Sequence, residues 1–424
     1  MKIVVLGINY SPEKTSVAPF TTGLCEHLVQ QGHNVTVVTA CPYYPGWKVF
    51  EEYRGARFRR ETIHGVAVQR VWHFIPRRPG QLWQRLVHDL SFTITAFAAG
   101  LFAGKCDVIY CSCPPATLGL AAYVLSKIRR APFVIKLTDL ATDAALATGI
   151  MRDGVAIRMA RQLESLVYRK AKSIVCLCQG FIGNLARRGV DIDKVQLIPD
   201  WGDTEKIRPL DDSTCFRAKH NIPAQGFLVL HTGNMGKKQG LVNAVNAAEL
   251  TRDEQTLRWL LVGDGEEREL LQREVTARAL HQVRLLPLQP VEMLPHMYAE
   301  ADLLLLNQLS SIEDAVIPSK LVTYMAAGRP IVAAVSERSE SAQHVLRACC
   351  GLVIPPEAPE ALAEAVLQLA REPEHRRRLG ANGRAYAEAH FRKSAVLKQY
   401  DLFFDEIAAN CLSSLLSHKA APSH

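Results

Sequence analysis

The sequence predicts an α/β protein made of two doubly wound domains. Two observations carry that expectation. Short apolar runs at residues 3–6, 35–39, 66–71, 108–111, 133–137 and 174–177 are separated by longer stretches of helical periodicity, which is the rhythm of a parallel sheet covered on both faces. After a polar, proline-bearing interval the rhythm starts again, at 227–230, 259–262, 283–285, 303–306, 331–334 and 352–354. The expected division is a first domain over 1–203, a linker over 204–225 and a second domain over 226–384. Helices over 385–415 are expected to pack back on the first domain, and residues 416–424 to form a disordered tail.

The first strand opens the chain. Its apolar run stops at Gly7, too short for the core of a signal peptide. The loop "GINYSPEKTSVAPF" then leads to a helix carrying Phe20, Leu24 and Leu28. Long loops at the carboxyl ends of parallel strands commonly line binding sites, so Asn9, Tyr10, Thr15 and Ser16 are candidates for contact with an acceptor or a phosphate. A plain connector is the alternative.

In the second series, "HTGNMGKKQG" at 231–240 lies between an apolar run and a helix whose face holds Leu241, Val242, Val245 and Ala248. This is a strand-to-helix turn. Gly233 and Gly236 allow close approach of a ligand, free N–H groups favour an anion, and Lys237 and Lys238 add charge. A phosphate or diphosphate fits. A tight turn with solvated lysines fits as well, and the P-loop spacing is absent. Tyr400, Phe403, Phe404 and Ile407 mark an apolar helical face near the C-terminus.

The whole-chain chemistry is less selective. A formal net charge of +8 favours anionic partners without naming one. Eleven cysteines without a C-x-x-C pair are expected to be reduced and mostly buried, with Cys111/Cys113 and Cys176/Cys178 each on one strand face. No zinc spacing is present, and "DID" at Asp191 to Asp193 reads as a polar turn, so no metal is expected.

"GINYSPE", "QGHNVTVVTACPYYP", "HTGNMGKKQGL", "LLVGDGEER" and "IPSKLVTYMAAGRPIVAA", in this order, resemble the retaining glycosyltransferases of family 4, which have the GT-B fold. The likeness is greatest to the bacterial branch that builds colanic acid, O-antigen and capsule, including fucosyl- and N-acetylfucosaminyl-transferases. It runs from the first strand to about residue 385. The resemblance implies two Rossmann-like domains facing a central cleft, with a nucleotide-sugar on the second domain and the acceptor on the first.

Several site residues follow from the resemblance. The family's arginine and lysine beneath the donor diphosphate fall here at Asn234 and Gln239, a departure for which Lys237 and Lys238 are placed to compensate. Two family glutamates eight residues apart fall at Ala315 and Thr323. Glu313 and Asp314 lie near the first of these, and "PSK" supplies Ser319 and Lys320 at a helix start, where a lysine suits a phosphate and Ser319 doubles as a cap. Asp264 and Gly265 border the nucleotide, and Leu288 in "LLPLQ" marks where the base rests. Arg268 breaks the G-x-G-x-x-G pattern, which argues against a dinucleotide oxidoreductase. In "IKLTDLATDAA", Asp139 takes the role near the reacting centre, as a proton acceptor or by orienting the acceptor. Its alternative is a helix cap, and Asp143 is the second choice.

Arg54, Arg57, Arg59, Arg60, Arg70, Arg77, Arg78 and Arg85 alternate with Phe58, Trp72, Phe74 and Trp83. Arginines interleaved with aromatics suit an anionic membrane surface, with Arg57, Arg59, Arg60, Arg77, Arg78, Trp83 and Arg85 as contacts. Residues 90–104 are too short to span; they dip into the bilayer face or form a buried core helix. No nucleic-acid module accompanies the basic run. The expectation is therefore a metal-independent glycosyltransferase on the inner face of the cytoplasmic membrane, without a cofactor. It would use a UDP- or GDP-linked sugar and a glycan or polyprenyl-diphosphate-linked acceptor. The rivals are a nucleotide-sugar epimerase of the same fold and a non-catalytic interaction protein.

Overall fold

The computed structural model describes residues 1–14, 16–79, 81–140, 142, 154–210, 215–311 and 319–419. Two compact units emerge: Met1–Asp200 with Leu397–His424, and Trp201–Val396.

The first unit holds β1 (Lys2–Leu6), α1 (Ala18–Gln30), β2 (Asn34–Ala40), β3 (Phe58–Ile63), β4 (Val66–Val71), α2 (Leu82–Leu101), β5 (Val108–Cys113), α3 (Ala116–Arg129), β6 (Phe133–Leu137), α4 (Val155–Lys170), β7 (Ser173–Cys176), α5 (Gln179–Arg187) and β8 (Val195–Leu197). The strand order is β3-β4-β2-β1-β5-β6-β7-β8. All neighbours are parallel except β3, which pairs antiparallel to β4 from Phe58↔Val71 to Ile63↔Val66. Sequence periodicity missed β3 because its pattern is polar and largely exposed, as an edge strand allows. Arg70 is not a surface arginine: it is fully buried in β4, bonding Glu61 and Ser11 O, with Nη1 3.2 Å from Ala40 O.

The second unit holds α6 (Cys215–Lys219), β9 (Phe227–Asn234), α7 (Val242–Leu250), β10 (Leu257–Asp264), α8 (Arg268–Ala277), β11 (Val283–Leu286), α9 (Leu294–Ala299), β12 (Leu303–Asn307), α10 (Ser319–Ala326), β13 (Ile331–Ala334), α11 (Glu340–Arg347), β14 (Gly351–Ile354), α12 (Pro359–Arg371) and α13 (Pro373–His390). Its parallel sheet has the order β11-β10-β9-β12-β13-β14. The direction of winding reverses between β9 and β12, and that reversal opens a crevice beyond the strand carboxyl ends.

Two expected boundaries change. The stretch 204–225 belongs to the second unit, because Phe216 and Ile222 are core residues and the Glu300 carboxylate accepts the N–H groups of Phe216 and Arg217 at 2.8 and 2.6 Å. The last helix, α14 (Lys393–Lys419), enters the first unit only from Leu397. There Tyr400, Phe403, Phe404 and Ile407 are buried, and His27 bonds Asp401 at 2.8 Å. Residues 416–419 continue α14, since no glycine or proline interrupts that stretch. The paired cysteines lie inside: Cys111, Cys113, Cys176 and Cys178 are all buried thiols.

Candidate functional site

The site in the second unit is built where β9 parts from β12. Strand β12 pairs with β9 only at Leu303↔Val229 and Leu304↔Leu230, so the last residues of β9 need other partners. Tyr324 of α10 supplies one: its hydroxyl accepts the Thr232 N–H at 2.9 Å, while Thr232 Oγ1 lies 3.0 Å from the Tyr298 hydroxyl. His231 fills the rest of the gap. Its Nδ1 donates to Leu305 O at 3.2 Å, which leaves Nε2 as an acceptor for the Lys320 ammonium, also at 3.2 Å. Full burial, reinforced by Lys320, holds the imidazole well below its usual pKa, so it stays neutral.

Lys320 brings a positive charge to this crevice. Burial pushes its ammonium down to about 8. The side chain lies over Gly233, whose φ is +109°; a methyl group there would sit 3.3 Å from Lys320 Cε and 3.6 Å from Nζ. Glycine is therefore favoured by backbone conformation, and a side chain there would also crowd the lysine.

The turn after β9 is less open than its composition suggests. The Gly236 N–H is taken by Gln239 Oε1 at 3.2 Å and the Lys237 N–H by Glu266 Oε1 at 3.3 Å. Asn307 then pins the turn through Gln239 O at 2.6 Å and Gly240 O at 3.0 Å. The expectation of free N–H groups is corrected at these two positions: one is spent on a neutral side chain and the other on a carboxylate. Asn234, Lys237 and Lys238 are exposed. Gly265 packs against Met235, and Asp264 Oδ1 accepts its N–H at 2.8 Å. Leu288 is exposed, and Ser319 begins α10. Thr323, at one missing glutamate position, returns its hydroxyl to Ser319 O at 3.0 Å. Glu313, Asp314 and Ala315 lie outside the described residues.

In the first unit the acceptor candidates divide. Asn9 and Tyr10 are turned inward, contrary to a role in direct contact. The Asn9 amide donates to Glu13 Oε2 at 2.9 Å, and Glu13 Oε1 accepts the N–H groups of Tyr43 and Tyr44 at 2.8 Å each. Proline-rich loops leave backbone donors that a buried carboxylate can gather, and Glu13 does so here. Ser16 is exposed with φ at 59°, while Thr15 lies outside the described residues. Asp139 is half-buried just beyond β6, following Thr138, whose N–H donates to Cys113 O at 2.9 Å. Asp143 lies outside the described residues. Asp191 accepts the Asp193 N–H at 3.1 Å and caps a short turn. Among the described residues no group of three or more His, Cys, Asp or Glu is placed to hold a metal.

Of the basic run, Arg57, Arg59, Arg60, Arg77, Arg78, Trp83 and Arg85 are exposed. Arg59 is tied to Glu61 at 3.3 Å, and Arg85 lies over the Trp47 ring at 4.9 Å. Among the described residues no helix is long and apolar enough to cross a membrane. His231, Tyr298, Tyr324 and Asn307 escaped the sequence reading. His231 and Tyr324 left a trace, as parts of "HTGNMGKKQG" and "VTYMAAG".

Family comparisons agree with this architecture. Residues 15–201 match the model for a glycosyl transferase 4-like domain, and residues 212–386 the model for glycosyl transferases group 1. The chain is 31% identical over 412 residues to the putative colanic acid biosynthesis glycosyl transferase WcaI of Escherichia coli K12, covering 94% of this chain and 98% of that one. It is 23% identical to the probable glycosyltransferase WbjE of Pseudomonas aeruginosa, over 69% of this chain and 71% of that protein. Among solved structures, Anabaena HepE in complex with UDP superposes with a TM-score of 0.72 at 16% identity, covering 96% of this chain and all, 100%, of that one. Sucrose-phosphate synthase from Thermosynechococcus elongatus does so at 0.73 and 18%, covering 96% and 99%. At such identities these two speak for the fold alone. Two family models in tandem and a relative matched over nearly its whole length lead to one conclusion: the chain belongs to the family 4 glycosyltransferases of the GT-B fold.

Proposed function

We propose that this glycosyltransferase moves a sugar from a UDP- or GDP-linked donor, with retention of configuration and without a metal, to a lipid-linked glycan in the assembly of a colanic-acid or O-antigen type polysaccharide. The observation that carries the donor side is Lys320: a single ammonium, held by a neutral histidine over a glycine at the point where the sheet reverses its winding. Negative charge develops on the departing diphosphate, and a cation already oriented there stabilises it without reorganising. Lys237 and Lys238, exposed on the same turn, approach the diphosphate as flexible charges. Asn234, Gly236, Gln239, Asp264, Gly265, Leu288, Asp314 and Ser319 complete the donor contacts in this reading. Asp139 orients the acceptor hydroxyl, while the leaving phosphate helps to take its proton in a front-face attack. The name of the matched E. coli relative supports the polysaccharide class, and a carrier-bound acceptor places the enzyme at the inner face of the cytoplasmic membrane.

The test is a calorimetric panel of UDP, GDP and their sugars against the full chain, followed by assays with and without a glycan acceptor. Preference for one diphosphate, lost in Lys320→Ala, is the expected result. Asp139→Ala should retain donor affinity and lose turnover. Consumption of donor without acceptor would instead identify an epimerase, and equal losses of affinity and turnover in both variants would remove this division of roles.

A further inference from the structure

Helix α2 leaves an apolar stripe on its exposed side. It is 20 residues long, about 30 Å at 1.5 Å per residue. Trp83, Leu86, Val87, Leu90 and Ile94 follow one another at helical spacing and form one stripe. That stripe is the exposed side, with Trp83 60% and Ile94 67% accessible. The buried side carries the polar Gln84 and His88 in the first half of the helix, and Phe92, Ala96 and Ala99 beyond them. Only Arg85 and Asp89 in the helix carry a formal charge.

The orientation of its first half is held by hydrogen bonds. His88 Nδ1 lies 2.7 Å from Phe74 O and its Nε2 lies 3.1 Å from the Tyr43 hydroxyl. Gln84 Oε1 accepts the Arg78 N–H at 3.1 Å. Rolling the stripe inward would leave these buried groups without partners, at a cost the apolar contacts would have to exceed. The stripe is therefore left for something outside the chain.

Charge names the occupant. Arg77 and Arg78 are exposed just ahead of α2. Near its middle, Thr95 Oγ1 donates to Trp72 O at 2.8 Å, and the Trp72 N–H donates to Arg57 O at 2.9 Å. This brings the exposed Trp72 and Phe58, with Arg57 and Arg60, alongside the helix. An aliphatic stripe with a tryptophan at one end and arginines beside it offers no polar pattern by which a protein could be selected. It matches an apolar phase bounded by anions.

We infer that α2 lies flat in the interface of an anionic bilayer, with the Trp83–Ile94 stripe immersed and the neighbouring arginines on lipid phosphates. This deepens the membrane part of the reading above by naming the segment that enters. Donor binding is measured separately, so each can fail without the other.

The experiment uses the full chain with vesicles of phosphatidylcholine, alone or with about one third phosphatidylglycerol. Sedimentation with the anionic vesicles is expected, weakened by salt. Brominated lipid should quench the Trp83 emission, identified as the part missing in Trp83→Phe. Leu90→Glu with Ile94→Glu should lower vesicle binding on the order of tenfold or more, since two apolar anchors are lost. Because both side chains are exposed, the melting temperature should hold. Wild-type chain that neither sediments nor shows quenching would overturn the proposal, with no variant needed. So would a double variant that binds vesicles as the wild type does, or a wild-type dimer that the double variant dissociates in the absence of vesicle binding, which would mark the stripe as a contact between copies.

Discussion

Consider Lys320→Met, which keeps an unbranched side chain, one atom shorter, and removes its charge. Burial lowers the Lys320 ammonium from the ordinary 10.5 to about 8. The unfolded chain therefore holds this proton more tightly than the folded chain between those values. Stability rises with pH across that window, and below about pH 8 the fold carries the full cost of the buried charge. That cost is up to about 3 kcal/mol for a shift of this size. Methionine removes that cost but leaves the buried His231 Nε2 without its donor, at about 1–3 kcal/mol, so the two effects offset and the nucleotide-free variant should melt within a few degrees of wild type near neutral pH. Nucleotide binding moves the other way: losing one charge-assisted hydrogen bond to phosphate costs about 1.5–3 kcal/mol, roughly 10- to 100-fold in Kd. Wild-type affinity should also decline as pH rises through 8 and the ammonium is lost, whereas the variant's should stay flat. Thermal melts without nucleotide, and calorimetric titrations from about pH 6.5 to 9.5, measure both quantities. A variant that binds nucleotide as tightly as wild type, or whose affinity keeps the wild-type pH dependence, would refute the assignment of that cation to the donor.

Three further substitutions probe the supports. Gly233→Ala places a methyl at φ +109° and 3.3 Å from Lys320 Cε; it should cost about 1–2 kcal/mol in denaturant unfolding and weaken nucleotide binding by displacing the ammonium. Tyr324→Phe leaves the buried Thr232 N–H without its acceptor and should cost about 1–2 kcal/mol, with a smaller effect on nucleotide affinity than Lys320→Met has. Glu13→Ala strands three donors from Asn9, Tyr43 and Tyr44. It should lower the stability of the first unit by about 3 kcal/mol or more, read as an earlier transition in urea, and a transition unchanged from wild type would show that water replaces the carboxylate.

Much of the fold was legible because buried parallel strands must be apolar along their whole length. That requirement marks β1, β2, β5, β6 and all six strands of the second sheet as plain runs in the sequence. Edge strand β3 escaped because exposure relaxes the rule. The glycine turn after β9 and the "PSK" helix start were readable as local chemistry, and the order of motifs identified the family. Pairings between distant positions were not readable: Lys320 and His231 stand 89 residues apart, and they meet where β12 parts from β9 after Leu304. Periodicity shows which side chains of a helix share a face, but it cannot say which way that face turns. In α2 the turn was decided by His88 and Gln84 finding partners inside, which left the apolar stripe outside. Likewise, only packing distinguished Arg70, sealed against Glu61, from the exposed arginines around it. Apolar runs and periodicity determined the elements and the resemblance of ordered motifs pointed to the family, whereas hydrogen-bond satisfaction across long sequence separations decided which charges are held in place and which faces are left exposed.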